Sequence, residues 1–148
     1  MKDFIKRYSY LFLLLTFASV NLCCHVQLIA KYDQTTVDDI LHTYKEIDTF
    51  YINLLNAPKE ERLYKSYSNT VNTIESEISL MVLKNSTRAL NTESIKISKN
   101  ILDSWRKHKN LFRKDNSYSD EDISFDRETF FDNFIILLKT EQAKPMTD

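Results

Sequence analysis

Apolar residues recur at intervals of three and four along most of this chain. Val37, Ile40, Leu41, Tyr44, Ile47, Tyr51, Leu54 and Leu55 form the first such stripe. That spacing predicts a helix of about five turns with one buried face. Residues 36–39 (TVDD) predict its start, with Thr36 as N-cap and Asp39 at the third helical position. Residues 56–58 (NAP) predict its end. Pro58 suits the first turn of the next helix, and Glu60 and Glu61 suit its positive end. The second stripe is Leu63, Tyr64, Tyr67, Val71, Ile74, Ile78, Met81 and Val82. Residues 85–91 read as a connection, after which Asn91 or Thr92 caps a third helix with apolar positions Ile95, Ile101, Leu102, Trp105 and Phe112. After a polar loop at 115–119, Ser119 caps a fourth helix opened by Asp120, Glu121 and Asp122. Ile123, Phe130, Phe131, Phe134, Ile135, Leu137 and Leu138 make it the most apolar of the four. Its segment 134–138 is apolar all round, which predicts the bundle centre or a partner contact.

These patterns predict an all-α protein, an antiparallel four-helix bundle over 35–142. A signal segment over 1–24 and a linker over 25–34 precede it, and a disordered tail over 143–148 follows. Composition supports the helical reading through one value: the 148 residues include no Gly. That removes the Gly-dependent phosphate loop, dinucleotide-binding turn and nucleophile elbow. A sheet protein with no Gly and two Pro would lack turn residues, whereas a helical one does not need them. The formal net charge of −1 offers no general basic field, so no nucleic-acid partner is expected.

The first 27 residues follow a different logic. Lys2, Lys6 and Arg7 precede an apolar run at 11–20 (LFLLLTFASV), and Cys23 and Cys24 follow it. Basic residues, a short apolar run and then a polar chain is the layout of a secretory signal. The run is shorter than the roughly 20 apolar residues of a membrane span. On these residues the leader resembles that of small bacterial envelope lipoproteins. The resemblance covers the leader alone and implies lipid attachment at Cys23 or Cys24. Leu22 stands before Cys23 where that family carries a small residue. Three fates therefore stay open: lipidation at Cys23 or Cys24, cleavage to a soluble chain, or an uncleaved anchor. The chain has no other Cys, so no disulfide framework is expected.

Little in the sequence points to chemistry. His25, His42 and His108 show no metal-ligand spacing, so neither a metal nor a cofactor is expected. No Ser–His–Asp constellation stands out, and no catalytic residue is assigned. Arg106, Lys107, Lys109, Arg113 and Lys114 form the main basic cluster. It reads as a solvated helix end, or as a contact for an anionic or acidic partner. Trp105 reads as a core anchor, with an interface as the second reading. Arg88 and Asn91 sit in a predicted loop, where contacts often reside. Asn85-Ser86-Thr87 matches the glycosylation pattern of a eukaryotic host, and is otherwise plain loop. By elimination, the expected function is that of an exported cell-envelope protein, periplasmic or membrane-tethered. It would bind another protein without catalysis, as a scaffold, secretion or assembly component. The alternative is a periplasmic immunity or inhibitor protein acting on a toxin or hydrolase. Membrane association would come through a lipid or the uncleaved leader, and the oligomeric state is open.

Overall fold

The computed structural model describes residues 28–146. Helices Gln34–Asn56 (α1), Tyr64–Thr87 (α2), Thr92–Asp115 (α3) and Asp120–Gln142 (α4) make it all-helical, with no strand among the described residues. Asp33 caps α1, not Thr36: its backbone is extended and its carboxylate accepts from the Thr35 N–H at 3.1 Å. Thr36 lies inside the first turn, buried, and donates its hydroxyl to the same carboxylate at 2.7 Å. A carboxylate can take both donors and also suits the positive end of the helix.

Pro58 precedes a separate 3-10 turn, Lys59–Glu61, instead of opening α2. Buried Arg62 explains the detour. Its guanidinium donates to Ala57 O at 3.0 Å and Leu55 O at 3.2 Å, satisfying carbonyls left over at the end of α1. It also reaches Asp120 Oδ1 at 2.5 Å, tying the first connection to the third. Asn116 supplies the cap that α2 lacks locally, accepting from the Tyr64 N–H at 3.1 Å. Asn116 itself ends α3 in the left-handed region, at φ 47°; Asn tolerates that conformation better than most residues.

The expected connection at 85–91 begins later, because α2 continues to Thr87. Asn85 is therefore helical and fully buried, and Asn91 Nδ2 donates to its backbone and side-chain oxygens, both at 3.0 Å. The glycosylation pattern thus falls on an inaccessible side chain. Ser119 caps α4 as expected, accepting from the Asp122 N–H at 3.0 Å. Ser119→Ala should lower the unfolding free energy by about 1 kcal/mol in chemical denaturation. The segment 134–138 is not apolar-buried all round, since Ile136 is exposed.

Contacts between helices fix the order. Each helix packs on the next, and α1 packs on α4. Lys84 meets Asp39, Glu75 meets Arg106 and Asp48 meets Arg127, so neighbours run antiparallel. The centre is aromatic. Trp105 lies edge-on to Phe50, Tyr51 and Phe130, with ring centroids 5.5–6.3 Å apart. Its indole N–H donates to Val71 O at 3.2 Å.

Packing extends past the 35–142 read from the sequence. Ala30 is buried and donates to Leu90 O at 3.0 Å, and Tyr32 N–H donates to Pro145 O at 2.8 Å. Beneath them Glu141, fully buried, receives Arg88 at 2.8 Å and Lys144 at 2.5 Å. Arg88 also reaches Lys31 O at 2.6 Å and Thr36 Oγ1 at 3.2 Å. Lys144 also donates to Asn91 and to Ser94 Oγ. One polar clasp therefore joins the start of the described chain, the second connection and the tail.

Candidate functional site

On α4 the apolar residues come as doublets: Phe130-Phe131, Phe134-Ile135 and Leu137-Leu138. The first member of each is buried in the core. The second lines a surface groove against α1. Ile40-Leu41 on α1 divides the same way, with Tyr44 one turn on. The core needs one track per helix, and no other element among the described residues covers the second. Leu41 is 48% exposed and Phe131 46%.

The groove has two compartments that share Tyr44 and Phe131. One, of about 220 Å³, is lined by Leu41, Ile135 and Leu138 over a floor of Ile40 and Phe134. The other, of about 360 Å³, adds Leu55, Ser124, Arg127 and Glu128. Tyr44 stands between them, its ring centroid 6.0 Å from Phe131 and 5.6 Å from Phe134. Asp48 Oδ1 accepts from Arg127 Nε at 2.6 Å beside it. Burial first, and the Asp48 charge second, push the Tyr44 phenol up, so it stays protonated. The bond to Asp48 raises the Arg127 guanidinium further. With Arg127 neutralised, Glu128 is left exposed and makes no ion pair among the described residues. The groove is thus apolar along its length and acidic at one end.

A second constellation lies inside the bundle. Asp126, buried on α4, accepts from the Tyr118 hydroxyl, and its Oδ2 lies 2.5 Å from His108 Nδ1. Burial is the main cause pushing the Tyr118 and Tyr51 phenols up, with Asp126's charge adding to it. Both stay protonated, so Tyr118 remains a donor. A carboxylate orienting a histidine is also the geometry of a general base. The adjoining cavity is only about 10 Å³, lined by Phe50, Tyr51, Trp105 and Phe112. That is about room for one water, so the dyad joins α3 to α4 rather than facing a substrate. His42 lies on the α1 surface. Among the described residues no cluster of His, Cys, Asp and Glu could hold a metal ion, and no helix is long and apolar enough to cross a membrane.

The residues singled out in the sequence scatter. Arg106 and Lys109 both bind Glu75 of α2, at 2.9 and 2.6 Å, and Lys109 also reaches Asn72 Oδ1 at 2.6 Å. Lys109 and then Arg106 hold the Glu75 carboxyl below the usual carboxylate range. Arg113 bonds Asn110 within its own helix at 3.1 Å. Lys107 and Lys114 are exposed and make no ion pair among the described residues. Trp105 takes the core role, and Arg88 is committed to the clasp. Cys23, Cys24 and His25 lie outside the described residues.

Sequence reasoning missed Asp126 and Glu141, although a signal was present. Both fall on the core track 123-126-130-134-137-141, and a carboxylate at such a position needs buried partners. Scans against protein-family models, curated proteins and solved structures find no match to this chain.

Proposed function

We propose that this is an exported cell-envelope protein that binds another protein without catalysis, as a scaffold, secretion or assembly component. Its α1–α4 groove would take one amphipathic helix of that partner. The observation that carries this reading is the second apolar track. Leu41 and Tyr44 on α1, with Phe131, Ile135 and Leu138 on α4, repeat at three- and four-residue steps. They match the stripe that a docking helix presents at i, i+3, i+4 and i+7. Glu128 at one end, exposed and without an ion pair among the described residues, asks for a basic residue just beyond that stripe.

Photo-crosslinking in the native host, with the reactive group at position 131 and a control at 107, tests this. The expected adduct maps to a partner segment with that apolar spacing and a flanking Lys or Arg. Phe131→Asp should weaken the interaction by about tenfold or more. Its melting temperature should hold, because Phe131 is not a core residue. Adducts only with a second copy, or only at 107, would overturn the assignment.

A further inference from the structure

Leu90 stands in the left-handed region, at φ 59°, where a leucine is disfavoured and Asn or Gly is the usual choice. Burial does not compensate: the side chain is 52% exposed. Beside it lie Leu28, 78% exposed, and Ile29, 49% exposed. The three line one recess of about 340 Å³ with Lys144 and Ser94 behind them. The bond from Ala30 N–H to Leu90 O at 3.0 Å fixes the two segments together. The backbone bond does not require a leucine here, the exposed side chain gains little packing, and such outliers gather at functional positions.

We infer that this end of the bundle dips into a lipid bilayer, with Leu90, Leu28 and Ile29 entering the boundary between headgroups and acyl chains. The chain itself argues for that occupant. The apolar run at 11–20 and the lipidation candidates Cys23 and Cys24 immediately precede Leu28, and Leu28 lies on this face. Cys24 and Leu28 are four positions apart, a reach of at most about 14 Å. A lipid or a retained leader would thus bring this face, and not the far end, to the membrane. Exposed Lys31, next in sequence to Ala30, would meet lipid phosphates, and exposed Glu93, which also lines the recess, would stay at the headgroup level. The inference rests on the reading that the leader or its lipid tethers the chain, and is independent of the groove.

The full chain carrying Leu90→Trp should be compared with Leu111→Trp, an exposed position near the far end of α3. Both are mixed with phosphatidylethanolamine–phosphatidylglycerol vesicles whose acyl chains are brominated. Buried Trp105 gives the same background in each. The expected result is a chain that sediments with vesicles, and tryptophan quenching several-fold stronger in the Leu90→Trp protein. A chain that sediments without preferential quenching at 90 overturns the inference and leaves the tether intact. A chain that stays in the supernatant overturns both. A blue-shifted but unquenched reporter at 90 points to a protein on this face and overturns the bilayer. Leu90→Asn provides a separate check: its melting temperature should equal or exceed the parent's. A marked fall would show that Leu90 serves packing and would sink the argument.

Discussion

Glu141→Gln is expected to lower the unfolding free energy by about 3–5 kcal/mol in urea denaturation. The carboxylate is fully buried and bonds two cations, with the Arg88 side chain only 16% exposed and that of Lys144 7%. Gln preserves shape and some hydrogen bonding but removes the direct counter-charge of two partly buried cations and leaves them only the weaker attraction of Asp33. The cost comes from those orphaned cations more than from the value of the pair itself. A triple replacement, Arg88→Met with Glu141→Leu and Lys144→Met, should therefore recover part of the loss, limited by buried Asn91 and Ser94, which lose the Lys144 donor. The pH profile gives a second readout. Burial alone would raise the Glu141 carboxyl, but hydrogen bonds from Lys144, Ser94 and Arg88 outweigh it and hold it below its ordinary range. A carboxyl lower in the folded than in the unfolded chain contributes fully above the unfolded value. That contribution is lost as pH falls through the folded value. Acidification below about pH 4.5 should thus erode the parent's stability, and Glu141→Gln should flatten that slope. Asp33 and Glu75, also held low, keep part of it.

Trp105→Ala should cost about 3–5 kcal/mol by the same measurement. Trp105 lies where Phe50, Tyr51 and Phe130 converge, and its N–H is bonded to Val71 O. Alanine leaves a cavity walled by three rings on helices held at both ends, which limits collapse. Trp105→Phe keeps most of the volume and loses the hydrogen bond, so a cost of about 1–2 kcal/mol is expected. A cost for Trp105→Ala below 1 kcal/mol would mean that the rings repack, and would contradict the picture of a fixed aromatic centre.

The helices were legible because each carries a long stripe with a period near 3.6, and Ser119 was legible because its donor, Asp122, is local. Asp33 and Thr36 are both good caps by residue type, and the choice depends on which one can bond two donors. The 3-10 turn at Lys59–Glu61 was invisible because its cause, Arg62, acts through carbonyls on α1 and through Asp120, 58 positions away. The groove was written in the sequence but merged with the core. Leu41, Phe131, Ile135 and Leu138 lie one position past buried residues, so a single stripe with a period near 3.6 absorbs both tracks. The doublets Phe130-Phe131 and Leu137-Leu138 were the available signal, since an apolar arc wider than one neighbour can cover leaves a remainder.

The clasp places the start of the described chain and its tail within one hydrogen bond of each other, from Tyr32 N–H to Pro145 O. A fluorophore attached near residue 32 or residue 145 therefore sits at the same end of the bundle, around Leu90 and Glu141. Lys59–Glu61, exposed at the opposite end, is the better place for a label. The same proximity suits a circular permutant of residues 28–146, its two ends joined by a short polar linker and new ends opened in that turn.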